Sequence, residues 1–193
     1  MLRALYDKTL EWSAHRHATW ILALVAFTES SFFLIPPDVL LIPMVLAART
    51  RWFRLALICT IASVLGGVFG YFIGAFLFEE IGQPILEFYH AADKFAQVKA
   101  LYNENGAWIV FTAGFSPIPY KIFTIASGVT GLDMVPFIIA SAIGRGARFF
   151  LVAILLWKYG EPIRAFIEKR LGLLTLLFCA LLVAGVIVLK FVT

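Results

Sequence analysis

Charged residues are scarce in this sequence. Asp, Glu, Lys and Arg make up 15% of its 193 residues, whereas about a quarter of the residues in a soluble domain are charged. Hydrophobic residues make up 62%. This composition predicts an all-α integral membrane protein formed by one membrane domain over residues 1–193, and it argues against a soluble fold.

Cysteines, metal-ligand clusters and basic patches are also rare or missing. The two cysteines, Cys59 and Cys179, lie within apolar segments and indicate no disulfide framework. No Lys/Arg cluster lies in a polar, foldable stretch, so no nucleic-acid partner is predicted. No spacing of residues indicates a metal site or a nucleophile with its base. The sequence therefore predicts no enzyme, no metal and no cofactor.

A long apolar run over residues 18–48 is interrupted by Pro36 and Pro37, with Glu29 before the prolines and Asp38 directly after them. The rest of the run would rise only ~15 Å as a helix, about half of a ~30 Å hydrocarbon core, before it meets an arginine-rich loop. The break must therefore lie near mid-depth. Residues 18–48 are predicted to form a re-entrant helical hairpin, a structure that membranes tolerate when protein or a water-filled cavity surrounds it.

Residues 107–128 repeat this arrangement. About eleven residues lead to Pro117 and Pro119, and a short run leads back to Gly128. Each leg again reaches roughly half of the hydrocarbon core. A second re-entrant hairpin is therefore predicted, with Lys121 near its tip.

Three other apolar segments are long enough to span a membrane as helices, namely 55–78, 134–157 and 171–192. The first contains Gly66 and, four and eight residues later, Gly70 and Gly74. This spacing places the glycines on one helix face, where another backbone can approach closely. The same face leaves a homodimer possible.

Residues 1–17 and 79–105 combine charged residues with apolar positions near helical spacing. Each segment is predicted to be an amphipathic helix at the membrane surface. The second helix is predicted to end before Asn105 and Gly106, a pair that is typical of turns.

The positive charges indicate an orientation. The loop 49–54 holds three arginines and no acid, a net +3, and the loop 158–170 holds four bases and two acids, a net +2. The positive-inside rule places both loops and the N-terminus in the cytoplasm and residues 79–105 outside. The two hairpins then enter from opposite faces of the membrane, which is the pattern of an inverted-repeat transporter.

Five ionisable residues lie where hydrocarbon is expected: Glu29, Asp38, Lys121, Arg145 and Arg148. Each charge would cost about 2.5–3.5 kcal/mol at the centre of a bilayer, so such residues pair with one another or line a cavity. Three bases and two acids leave a net charge of +1, which suits an anion such as a phosphate head group bound by the three bases. The two acids are candidates for proton coupling. Purely structural salt bridges remain the alternative.

These stretches resemble the DedA family, also called the VTT or SNARE-associated Golgi protein family, and most closely its small YqaA-type bacterial branch. The resemblance covers roughly residues 18–157. The motifs that carry it are, in order, Glu29 to Asp38, Gly66 to Gly74, Phe115 to Gly128 and Gly144 to Arg148.

The resemblance implies two opposed re-entrant hairpins and the movement of lipids between leaflets. For a bacterial member it implies a polyprenyl phosphate carrier as cargo and the proton motive force as driver, whereas eukaryotic relatives resemble scramblases. The main DedA pattern has an arginine on either side of its hairpin proline, and this sequence has Gly114 and Tyr120 there. Either Lys121 with Arg145 and Arg148 replaces that pair, or this branch has another substrate.

The residues and the resemblance together predict a transporter or flippase of an anionic lipid in the bacterial inner membrane. Its substrate would be a polyprenyl phosphate or a phospholipid, and its transport would be coupled to protons. An energy-independent scramblase and an envelope assembly scaffold without cargo are the alternatives.

Overall fold

The computed structural model describes residues 17–33, 35–88, 92–116, 118–160 and 162. Within these ranges the chain is helical and contains no strand, which confirms the predicted all-helical class. The helices are α1 (Ala18–Ser31), α2 (Asp38–Ala47), α3 (Trp52–Leu77), α4 (Gln83–Phe88), α5 (Ala92–Phe115), α6 (Tyr120–Thr130) and α7 (Met134–Gly160).

Two of the described helices are long and apolar enough to cross a membrane. They are the continuous helical stretch Arg49–Gly82, which contains α3, and α7, with 34 and 27 residues. They correspond to the predicted spans 55–78 and 134–157. The predicted span 171–192 and, apart from His17, the predicted surface helix 1–17 lie outside the described residues.

The first proline pair separates α1 from α2. The N–H groups of Phe32 and Phe33 both donate to the carbonyl of Thr28, and this closes the last turn of α1. Pro37 then caps the start of α2 with a φ of −65°, the value that its ring imposes. A proline just before a helix costs no hydrogen bond, because the first N–H groups of a helix have no partner within it.

Helix α5 corrects one prediction. It runs without interruption from Ala92 to Phe115, so the predicted helix end before Asn105 and Gly106 is wrong. A glycine inside a helix costs only about 1 kcal/mol relative to alanine, and Gly106 faces the side chain of Leu132, which occupies the space that a Cβ would need. Tertiary packing outweighs the turn preference of the pair.

Helix α6 begins directly after Pro119 and ends at Thr130, and the next residue, Gly131, has a left-handed φ of 62°. Glycine reaches this conformation without strain, and the N–H of Gly131 returns to the carbonyl of Gly128. Pro117 lies outside the described residues.

The glycine face of α3 holds both α1 and α6. A Cβ on Gly66 would overlap the backbone carbonyl of Phe27 in α1, and a Cβ on Gly74 would overlap that of Ile125 in α6. Between them, Gly70 faces the side chain of Thr124. The three glycines are therefore covered within one chain, and this face is not free to receive a second copy.

Candidate functional site

Arg145 lies in the middle of α7 and is one of the largest fully buried side chains, with 2% of its surface exposed. Its Nη2 atom lies 2.6 Å from Oε2 of Glu29 on α1, and its Nε donates to Oγ of Ser63 on α3 at 2.5 Å. One guanidinium group thus joins three helices. The Glu29 side chain is only 13% exposed, so both members of this ion pair are largely buried.

Two serines close a ring around this ion pair. The hydroxyls of Ser63 and Ser30 lie 2.6 Å apart, and the Ser30 hydroxyl donates to Oε2 of Glu29 at 3.2 Å. Arg145 therefore reaches the same carboxylate oxygen directly through Nη2 and indirectly through the two hydroxyls. Such charge-assisted bonds fix the orientation of the guanidinium.

Aromatic rings flank the same guanidinium. Its central carbon lies 5.0 Å from the ring centroid of Tyr120 and 4.7 Å from that of Phe149. Both distances are within the range of cation–π attraction. The Tyr120 hydroxyl donates to Ser141, so the ring is itself held in place.

Arg148 forms the second ion pair, one turn farther along α7. Its Nη2 lies 2.7 Å from Oδ2 of Asp38 at the start of α2, and its Nη1 donates to the carbonyl of Ser116 at 2.6 Å. Arg148 is 20% exposed and Asp38 is 18% exposed. Arg148 therefore links the first break to the second, in a more open position than Arg145.

Lys121 also connects the two breaks, in this case from α6. It lies in the first turn of α6, and its Nζ donates to the carbonyl of Phe33 at 2.9 Å. The two ion pairs contain two acids and two bases, so their charges cancel. Lys121 therefore carries the net +1 charge of the five residues. This charge lies beside the unwound end of α1.

The two pairings bring together four of the five charged residues that the sequence singled out, and α7 supplies both bases. Residues 145 and 148 lie three positions apart and so share one helix face. The acids lie on opposite sides of the first break. The sequence alone could not tell which acid meets which base.

The sequence patterns did not reveal the polar side chains that surround the ion pairs. They are fully buried hydroxyls within apolar helices, namely Ser30, Ser63, Tyr120, Thr124 and Ser141. One signal was available in the sequence, because Ser63 lies three residues before Gly66 and hence on the glycine face of α3. The Thr124 hydroxyl bonds to the carbonyl of Ser30 at 3.1 Å, which ties α6 to α1 at this level.

Over the residues that the structure describes, the fold and these contacts define a helical membrane protein in which ion pairs join α7 to α1 and α2. The chain belongs to the VTT-domain family, because the model of the VTT domain matches residues 35–158. This confirms the resemblance to the DedA/VTT family.

Two relatives extend the similarity beyond the domain. An uncharacterized protein of Haemophilus influenzae is 40% identical over 186 residues, which cover 96% of each chain. An uncharacterized protein of Histophilus somni is 39% identical over 168 residues, which cover 85% of this chain and 87% of the relative. No solved structure matches the chain.

Proposed function

We propose that the protein is a transporter of an anionic lipid in the bacterial inner membrane, and that its substrate carries a phosphate head group. The observation that carries this proposal is the cluster of Arg145, Arg148 and Lys121 between the two helix breaks. Intramembrane charges of this kind mark substrate or ion pathways by default. Arginine and lysine are the usual donors to phosphate.

The proposed architecture consists of two opposed re-entrant hairpins, over residues 18–48 and 107–128. Two features support it. The helices α1 and α6, one from each proposed hairpin, pack against the same face of α3, and α2 and α6 each have too few residues to cross a membrane alone. Helix N-termini at such breaks favour anionic groups. In the proposed topology the N-terminus is cytoplasmic.

The proposed roles of the three bases differ. Arg148 and Lys121 contact the phosphate directly, because Arg148 is partly exposed and Lys121 is bonded only to a backbone carbonyl in the contacts described above. Arg145 contributes its positive charge from a buried position, since Nε and Nη2 are already hydrogen-bonded.

The departure from the main family pattern supports this assignment. A Cβ on Gly114 would lie 3.3 Å from the backbone nitrogen of Arg145, and the Tyr120 ring lies beside its guanidinium. Both places where the family pattern carries arginine therefore adjoin Arg145 in this chain. Arg145 brings a positive charge to the neighbourhood that those two arginines would occupy.

Charge balance supports proton coupling. The five residues have a net charge of +1, whereas a phosphate monoester carries up to two negative charges near neutral pH. One negative charge then remains in a medium of low dielectric constant, and one proton on Asp38 or Glu29 would remove it. The two acids are therefore the proposed proton-coupling residues.

A scaffold without cargo is the second candidate. It is favoured by the observation that Glu29, Arg145, Asp38 and Arg148 satisfy one another within the chain. Such a protein needs these residues for stability alone. A passive scramblase would move lipids without any response to a proton gradient.

Lipid flipping by purified protein in vesicles separates these candidates. We expect Glu29→Gln and Arg148→Ala to slow the flipping of a phosphate lipid at least tenfold, because a charge-assisted hydrogen bond contributes about 1.5–3 kcal/mol. Lys158→Ala is the matched control, since Lys158 is an exposed base near the end of α7. Unchanged flipping by both site variants, at equal amounts of folded protein, would remove the site assignment.

A further inference from the structure

The two ion pairs differ in how easily they can exchange partners. Glu29 and Arg145 are closed in a ring with two serine hydroxyls, and aromatic side chains flank the guanidinium. Asp38 and Arg148 share one hydrogen bond, between Nη2 and Oδ2. Both of these side chains remain partly exposed. Only the second pair can open without breaking a buried hydrogen-bonded ring.

We propose that Asp38 is a built-in competitor of the substrate, which holds Arg148 while the site is empty and is displaced when a phosphate head group binds. This inference rests on the proposed function. In the exchange, the hydrogen bond from Nη2 of Arg148 to Asp38 breaks and one to a phosphate oxygen forms. The exchange involves no covalent bond.

The chemistry of the two anions makes them alternatives at this arginine. A guanidinium binds carboxylate and phosphate oxygens through the same N–H donors. Nη1 of Arg148 donates to the carbonyl of Ser116 beside the second break, and Nη2 is the donor that Asp38 holds, so the two anions compete at Nη2.

The empty protein gains from such a competitor. An unpaired arginine at the bilayer centre is costly on insertion scales. Asp38 neutralises Arg148 in the absence of substrate. The empty site can then change the side of the membrane to which it is exposed. Asp38 therefore sets the strength of substrate binding, because each binding event must first open this ion pair.

Several charged groups surround the exchange. Arg145 and Arg148 lie on α7, and Glu29 lies on α1 in its pair with Arg145. Lys121 on α6 belongs to neither of these two ion pairs. Two ion pairs and one lysine hold a net +1, so a singly charged head group leaves the whole cluster neutral while Asp38 stays ionised. A phosphodiester therefore tests the exchange without requiring a proton.

The test measures lipid binding by the full chain in detergent micelles. The probes are phosphatidylglycerol, a polyprenyl phosphate and, as the zwitterionic control, phosphatidylcholine. We expect Asp38→Asn to lower the Kd for the bound phosphate lipid about three- to tenfold, because the amide cannot compete for Arg148 as an anion. Glu104→Gln is the matched control, because it removes the same charge from an exposed acid of α5 outside the cluster, and it should leave the Kd unchanged.

An unchanged or higher Kd in Asp38→Asn would overturn the exchange. Either result is expected if Asp38 only stabilises the fold or if it binds the lipid directly. If the variant does not fold, a structure of the wild type with phosphatidylglycerol or the polyprenyl phosphate bound decides the matter. The exchange predicts Asp38 and Arg148 beyond hydrogen-bond distance, and a retained ion pair contradicts it. Failure of the wild type to bind either anionic lipid would overturn the proposed function itself.

Discussion

At the scale of single residues, the two arginines of α7 have different environments although they lie one turn apart. Arg145 is enclosed by Glu29, Ser63 and two aromatic rings, whereas Arg148 faces Asp38 at a partly exposed position. Removing one member of a buried ion pair leaves an uncompensated charge, which costs about 3–5 kcal/mol. A pair at a partly exposed position, such as Asp38 and Arg148, contributes less.

A pair of double-mutant cycles should therefore give unequal coupling energies. The first cycle combines Glu29→Gln with Arg145→Met, and the second combines Asp38→Asn with Arg148→Met. We expect a coupling of about 2–3 kcal/mol in the first cycle and about 1 kcal/mol or less in the second, measured as free energies of unfolding in detergent. Equal couplings, or a larger value for Asp38 and Arg148, would contradict the assignment of the buried pair.

The sequence revealed the charged residues of this candidate site but not the buried hydroxyl groups around them. Glu29, Asp38, Arg145 and Arg148 stand out because charge is rare in apolar segments. Ser30 and Ser63 do not stand out, since a helix accommodates a serine whether or not its hydroxyl meets another residue. Their roles depend on how α1 packs against α3, which no local pattern specifies.

At the scale of helices, the packing depends on backbone contact across the glycine face of α3. Gly66 approaches the carbonyl of Phe27, an atom that cannot move without shifting α1. Gly146 on α7 is different, because the nearest atom to an added Cβ is the Thr60 methyl group at 3.6 Å, an ordinary contact distance.

Alanine substitutions at these two glycines should have opposite effects. We expect Gly66→Ala to lower the free energy of unfolding by about 1–3 kcal/mol, since the added methyl group forces a backbone shift. Gly146→Ala should be neutral or stabilising by up to about 1 kcal/mol, because alanine is the better helix former. Thermal unfolding in detergent measures both. A tolerated Gly66→Ala would show that α1 does not pack on α3 as described.

Most of the described helices were predictable from the sequence, and the wrong helix end before Asn105 shows which kind of break was not. Pro36 and Pro37 separate helices because proline lacks the donor that a continuing helix needs. Asn105 and Gly106 only weaken a helix, so a run of apolar residues with tertiary contacts continues through them. Sequence patterns therefore locate the break at the adjacent prolines, although the single Pro43 lies inside α2, and they overestimate breaks that are merely favoured.

At the scale of the whole molecule, the chain belongs to the VTT-domain family and places its ion pairs between helices that meet at two breaks. The proposed inverted arrangement of the hairpins would expose this region to the two sides of the membrane in turn. The excess charge on Lys121 would then select an anionic head group. Proton coupling would give the movement a direction.

The most direct measurement follows wild-type protein in vesicles with an imposed pH gradient. Fluorescent analogues of a polyprenyl phosphate and of phosphatidylcholine are compared in separate preparations, with protein-free vesicles as the baseline. Proton-coupled transport of an anionic lipid predicts that the phosphate lipid moves between leaflets and that reversing the pH gradient reverses its net movement, while phosphatidylcholine stays at the baseline. Equal movement of both lipids, movement that ignores the gradient, or no movement above the baseline would contradict it.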